Sequence, residues 1–450
     1  MQRLLWVARF AFTRTVKAYR DLYDDTPPSF ASTVTSIFSV FRPSLATTEP
    51  PPMKEIFCNQ PIEAAVILFP LFEFLSQNQA FRALFAQSVH PDPIELHALR
   101  PPSSRPQSPR RPSLGSPRHS ISTPLGSPRV RPGSLIMAGR SASMVSVVQK
   151  AQAQTQLQQN DVQCAAELMS MASYVLAHAG TTGVGGGRTE AYARLALDTI
   201  QQSVSDEEII RTMCSPPTKD DKEVWICRQK LPLLPLRTGP APLVCSVMDA
   251  CVLYLRHNLS KRLECGSYLA CLNIIHHVVF FLQIERIRID YHWDELWRAI
   301  IAVLVFVLSK QDTLTQGTTA IEGVIAEAIV VLDLAIARAD GFLPTPESVH
   351  RLVYEAVRAS STLRDLNKQK QNAKFARGLQ DLLMTTDYYE SQLEGTGSAD
   401  EVMRVLAREI EKDGVHGVSA REREEPGPAS DLGDAAFVRW ACADGLALVS

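Results

Sequence analysis

Three short stretches of this sequence hold side chains of the types and spacing that chemistry requires. The first is ERIRIDYHWDELWRAIIAVLVFVLSK, residues 285–310, where His292, Asp294 and Glu295 offer an imidazole and two carboxylates for general acid–base work. Consecutive residues splay around a helix, however, and no nucleophile lies at a fixed spacing from them, so the acids read as first-turn residues that favour the helix dipole. The second is the glycine loop GTTGVGGGRTE, residues 180–190. A phosphate-cradling P-loop needs a strand before it and the pattern G-x-x-x-x-G-K-[ST] within it. Here a helix ending near Ala179 precedes the loop, Thr182 stands where glycine is needed and Arg188 where lysine is needed, so a connector is the better reading. The third is His276 beside His277, which point to different sides of a helix and do not suit a shared metal.

The cysteines add no cluster. Cys58, Cys164, Cys214, Cys227, Cys245, Cys251, Cys265, Cys271 and Cys442 form no CxxC pair, and most sit in apolar segments where a free thiol behaves as a small hydrophobe. A reducing compartment is expected, and no catalytic, cofactor-binding or metal-binding residue is assigned.

The elements that carry these residues are helical. Apolar residues recur at steps of three and four in VQCAAELMSMASYVLAHA, EAYARLALDTIQQSV, PAPLVCSVMDACVLYLRHNL, SYLACLNIIHHVVFFLQIE, TTAIEGVIAEAIVVLDLAIARA and PESVHRLVYEAVRA, and a long polar helix is expected from about Thr362 to Leu393. Ser205 reads as the cap of SDEEIIRTM, and Asp290 as the cap of a helix entered near Tyr291. On that helix Trp293, Leu296, Trp297, Ile300, Ile301, Leu304 and Leu308 share one face, which makes the aromatics core. The run from Ala64 to Leu75, interrupted by Pro70 and Glu73, reads as a buried helix. No segment is expected to reach the uninterrupted apolar length of a spanning helix. Sustained alternation and hairpin dipeptides are missing, so the expected class is all-α. Helices apolar over most of their circumference need cover on more than one side, which suits an α-solenoid; without an exact repeat, an irregular helix stack stays open.

Two segments break the pattern. The N-terminus, MQRLLWVARFAFTRTVKAYRDLYDD, places Arg3, Arg9, Arg14, Lys17 and Arg20 before its first acid, Asp21, among Leu4, Leu5, Trp6, Phe10 and Phe12. That resembles a mitochondrial presequence, but it holds no serine, and a basic helix that begins a longer stack is preferred. Residues 101–135 are dominated by Pro, Ser and Arg with no acid and no aromatic residue, the composition of a disordered linker. The linker repeats LGSPR, and places proline-directed sites at Ser108, Ser116, Thr123 and Ser127 and a basic-directed site at Ser113. Seven arginines fall between Arg105 and Arg140, so the linker reads either as a segment that lies on an anionic membrane surface until phosphates offset its charge, or as a tolerated loop insertion that its charge keeps solvated. The net charge of -2 gives no overall push toward nucleic acid, and the linker lacks the interleaved aromatics that single strands stack on. The expected organisation is a helical segment at 1–99, the basic linker at 100–142, a helical domain at 143–395 and a helix with a tail at 396–450.

ASYVLAH near 172, TEAYARLALDTIQQ near 189 and above all ERIRIDYHWDELWRAIIAVLVFVL resemble the armadillo-like helical domain-containing protein 3 family. The family pattern of R-x-R, an aromatic and then W-x-x-L-W-x-A-L falls here on Arg286, Arg288, Tyr291, Trp293, Leu296, Trp297 and Ala299, with Ile300 in place of the last leucine. The resemblance covers roughly residues 160–390 and weaker echoes in IEAAVILFPLFEFLSQNQAFRALF. Members are generally longer, so it implies a fungal-type or truncated member. It further implies an armadillo-like solenoid without catalytic activity, a cytosolic protein held peripherally at Golgi membranes. Phosphatidylinositol 4-kinase beta and an Arf guanine-nucleotide exchange factor are the partners it implies, in support of Golgi maintenance and secretion. The alternative from the residues themselves is a mitochondrially targeted helical protein.

Overall fold

Capping side chains set several helix starts. In the computed structural model, which describes residues 1–23, 25, 56–57, 61–89, 163–180, 186–219, 221–237, 239–260, 263–310, 318–369, 375–393, 395, 397–418, 425–427, 441 and 443–446, all regular structure is helical. The first helices are α1 (Gln2–Leu22), a 3-10 turn (Glu63–Ile67), α2 (Leu68–Gln77) and α3 (Gln79–Gln87), the last capped by Asn78 Oδ1, which accepts from Phe81 N at 2.9 Å. There follow α4 (Cys164–His178), α5 (Gly186–Val204), α6 (Glu207–Met213), α7 (Leu243–His257), α8 (Cys265–Glu285), α9 (Trp293–Lys310) and α10 (Thr318–Ala337). The short α11 (Ala339–Phe342), α12 (Pro346–Arg358), α13 (Ser360–Gln369), α14 (Ala376–Gln392) and α15 (Ala399–Asp413) complete the order. Thr345 caps α12 ahead of a proline whose fixed φ suits the first turn, and Ser398 caps α15.

Local expectations shift in four places. Asp206, not Ser205, caps α6, accepting from Glu208 N and Ile209 N, while Ser205 turns back to Gln201 O at 2.7 Å. A carboxylate accepts two amides where a hydroxyl already bound to its own helix accepts none. Helix α9 starts at Trp293 rather than near Tyr291, and Asp290 is exposed. The long polar helix is two helices, α13 and α14. Finally, α8 is long and apolar enough to cross a membrane by length and composition, although two thirds of it is buried against other helices.

Packing follows two rows. In one, α1, α4, α7, α9, α12 and α15 contact one another in succession; in the other, α2, α5, α8, α10 and α14 do the same. Rungs cross between them at α1 with α2, α4 with α5, α7 with α8, α9 with α10, and α12 with α14. Each interior helix is therefore covered by its predecessor, its successor and a partner in the other row. That is the arrangement of an armadillo-like solenoid, and it settles the choice against an irregular stack. Residues 1–91 and 162–450 form one unit, so the N-terminal helices and the helical domain share a core; the linker, 100–142, lies outside the described residues.

The predicted α9 face is the centre of that core. Trp293, Leu296, Trp297, Ile300 and Leu304 are buried, with Ile301 and Leu308 half-buried at its margin. Trp293 and Trp297 stack at 5.6 Å between ring centroids, and Phe342 meets Trp293 edge-on at 5.1 Å. Trp293 Nε1 donates to Ile289 O at 3.1 Å, whereas Trp297 Nε1 has no partner among the described residues. Replacing Trp297 with alanine should cost about 3–5 kcal/mol in denaturant unfolding, as buried aromatic truncations do. Trp297→Phe should cost far less, because the indole N–H it removes makes no hydrogen bond.

Candidate functional site

The acid–base constellation dissolves into ion pairs between neighbouring helices. His292 Nε2 lies 2.8 Å from Oδ1 of the buried Asp249 of α7, which also pairs with Arg237. Glu295 pairs with Arg256 of α7 and, at 3.0 Å, with Arg298, and Arg298 continues to Glu355 of α12 at 2.9 Å. Asp294 adds a further bond to Arg298 at 3.2 Å. These groups are committed to a charge ladder across α7, α9 and α12. Asp294 and Glu295 do stand in the first turn of α9, and Glu295 and His292 reach across to α7 as well.

The glycine loop has a structural use as well. Arg188 grips Asp444 through Nε at 3.0 Å and Nη2 at 2.5 Å and reaches Glu63 at 3.4 Å, while Tyr192 donates to the same Asp444 at 2.6 Å. An arginine held by two carboxylates has no free face for phosphate. Thr182 lies outside the described residues. His276 Nδ1 meets Glu327 at 2.7 Å and His277 Nε2 meets Gly427 O at 3.1 Å, so the adjacent rings serve different neighbours.

Sequence reasoning missed a buried polar knot. Residues 221–237 cross α4 as a non-helical strap, and α4 answers with hydroxyls one turn apart: Trp225 N donates to Ser170 Oγ and Cys227 N to Ser173 Oγ, both at 3.0 Å. Gln229 of the strap donates to Tyr19 O at 3.0 Å, the Arg20 guanidinium lies 4.1 Å above the Trp225 ring, and Tyr174 donates to Asp25 at 2.6 Å. The strap thereby ties α1 to α4. A signal was present in the i,i+3 serines of an otherwise apolar helix, but only the fold says what they bond.

Within the knot Cys227 Sγ lies 3.8 Å from His178 Nε2, the one pair among the described residues that resembles a thiol–imidazole couple. Burial pushes the Cys227 thiol up to about 12, and burial with the nearby Lys230 ammonium lowers His178 to about 3. A thiolate–imidazolium pair needs the opposite shifts. His178 Nε2 instead bonds Gln229 Oε1 at 3.0 Å. The cysteines Cys164, Cys214, Cys227, Cys245, Cys251, Cys265 and Cys271 are free and buried, as the apolar surroundings predict; Cys58 and Cys442 lie outside the described residues.

Two surfaces remain uncommitted. On α1 the inner side, Leu5, Ala8, Phe12, Thr15, Val16 and Tyr19, is buried, while Trp6 and Phe10 are 55% and 65% exposed and stack on each other at 6.4 Å. Arg3, Val7, Arg14 and Lys17 are exposed too and fall on the same outer stripe. Arg286, from the R-x-R motif, closes α8 in the left-handed region at φ 53°, with Ile287 N donating to Leu282 O at 2.9 Å. Glycine usually holds that position, and a side chain there costs about 1–2 kcal/mol. Arg288 Nη2 donates to Asp340 O at 2.8 Å. The linker sites Ser108, Ser113, Ser116, Thr123 and Ser127 lie outside the described residues.

These features define a helical-repeat protein in which polar groups repeatedly join helix to helix. Residues 241–412 match the family described as armadillo-like helical domain-containing protein 3, C-terminal. Residues 241–412 thus resemble the C-terminal helical domain of that family. The match takes in Arg286, Arg288, Trp293 and Trp297, extends past residue 390, and begins after the segments near 172 and 189. Similar relatives bear that family name in Danio rerio, at 33% identity over 26% of this chain and 17% of that protein, and in Homo sapiens, at 31% over 28% of this chain and 18% of that protein. A UPF0588 membrane protein of Schizosaccharomyces pombe is 25% identical over 54% of this chain and 40% of its own length. The matched stretch thus spans less than a fifth of the vertebrate relatives. No solved structure matches the chain.

His178 gives the knot a pH signature. Its folded value lies below the ordinary 6.5, so the unfolded chain takes up the proton first; the stability it contributes is whole above about pH 6.5 and is lost as pH falls toward 3. Thermal unfolding between pH 7 and 4 should therefore lose about 1.4 kcal/mol per unit on its account below pH 6.5. His178→Gln should flatten that slope.

Proposed function

We propose that this protein is a non-enzymatic helical scaffold that sits peripherally on anionic membranes through the outer face of α1. The observation that carries the reading is the Trp6–Phe10 stack, exposed among Arg3, Arg14 and Lys17. Aromatic rings settle at the headgroup level while lysine and arginine meet anionic lipids, the composition of an interfacial helix. Proteins would then dock along the rows. The family resemblance supports Golgi membranes as the site, secretion as the process, and phosphatidylinositol 4-kinase beta or an Arf guanine-nucleotide exchange factor as recruited partners. The basic helix also suits a mitochondrial presequence, but its removal would strip Leu5, Phe12 and Tyr19 from the core, which speaks for the scaffold.

Vesicle sedimentation tests the docking face. The protein should bind phosphatidylcholine vesicles only when phosphatidylserine is added, and less as salt rises. Full burial of a large apolar side chain is worth about 1.5–3 kcal/mol, so Trp6→Ser with Phe10→Ser should weaken binding by at least about tenfold while leaving the melting temperature unchanged. Equal binding by that double variant would refute the assignment. So would equal binding of neutral vesicles.

A further inference from the structure

Two adjoining hollows sit beside the ends of α8 and α10 and share Arg288 and Asp340. The first, of about 340 Å³, is lined by Gln283, Arg286, Arg288, Arg338, Asp340 and Gly341. Three guanidinium groups face one carboxylate there, so the hollow is cationic. Arg288 is oriented by its bond to Asp340 O, while the side chains of Arg286 and Arg338 make no hydrogen bond or ion pair among the described residues. The second hollow, of about 480 Å³, is walled mainly by Leu343, Pro344, Pro346, Val349, Ile410 and Val415, with His350 and Glu411 also lining it.

A simpler explanation of the arginines is the attraction of cations to helix C-termini. It does not account for Arg286. The left-handed position that ends α8 would accept glycine without steric cost, and the dipole is served equally well by an arginine one residue earlier or later. A strained residue that persists beside two other unpartnered or half-committed guanidiniums points from strain to binding. Planar guanidinium forks match phosphate oxygens in paired hydrogen bonds, and three of them can enclose one phosphate.

We propose that the paired hollows bind an anionic phospholipid, its phosphate among Arg286, Arg288 and Arg338 and its acyl region along the apolar wall. The wall favours a lipid over a phosphopeptide. Pro344 and Pro346 offer no N–H, and the Thr345 hydroxyl is engaged as the cap of α12, accepting from Ser348 N, so a peptide backbone would find few partners. The proposal stands on different residues from the α1 face and does not need it.

Calorimetric titration of the full chain with dihexanoyl phosphatidic acid, glycerol 3-phosphate and a leucine-flanked phosphoserine peptide tests it. The lipid should bind saturably and at least about tenfold more tightly than glycerol 3-phosphate, which has the phosphate without the chains. Arg286→Gly should weaken the lipid by at least about tenfold while its melting temperature stays level or rises, because glycine relieves the left-handed strain as it removes the guanidinium. Arg338→Gln should weaken binding as well. Absence of saturable lipid binding, unchanged binding in Arg286→Gly, glycerol 3-phosphate binding as tightly as the lipid, or tighter binding of the phosphopeptide would each overturn the proposal.

Discussion

Lateral cover is the constraint on which this structure depends. Helix α8 is apolar nearly all round, from Cys265 through Val278, Val279 and Leu282, and no amphipathic packing on one side would bury it. It is stable in water only because α5 and α10 flank it in one row and α7 backs it from the other. The same demand passes along both rows, each helix needing the next. It also explains why a segment with the length and apolarity of a membrane span is here an interior rung.

Helix α1 buries Leu5, Ala8, Phe12, Val16 and Tyr19 inward, yet keeps Trp6, Val7 and Phe10 in solvent. Polar chemistry elsewhere in the molecule is spent on joining neighbours: Arg298 to Glu355, Arg188 to Asp444, Gln229 to the backbone of α1. Against that background, groups that bond nothing within the fold stand out. Among the described residues, the aromatic stripe of α1 and the side chains of Arg286 and Arg338 beside α8 are such groups, and both are suited to anionic lipid. A scaffold with two contacts to a membrane would be oriented by it as well as held, which is what presentation of bound proteins along the rows requires.

Much of the fold was legible because burial writes a period into the sequence. The spacing of Trp293, Leu296, Trp297, Ile300 and Leu304 placed the α9 core face correctly, since a helix repeats its sides every three or four residues. Caps were less legible: Asp206 displaced Ser205 because two neighbouring residues both had capping side chains and only the turn decides between them. The functional surfaces were harder still. Arg286 stood out as part of a motif, but its left-handed conformation and its convergence with Arg338, 52 positions further on, are facts of tertiary structure. The strap across α4 was silent because its partners, Ser170 and Ser173, lie more than fifty residues away.

The central claim is that the outer face of α1 brings an intact solenoid to an anionic membrane. Fluorescence localisation of the tagged chain in its native cell, scored against Golgi and mitochondrial markers and repeated with Trp6→Ser and Phe10→Ser together, tests it most directly. The account predicts Golgi signal that disperses into the cytosol in the double variant. Mitochondrial signal, or Golgi signal indifferent to the two replacements, would contradict it.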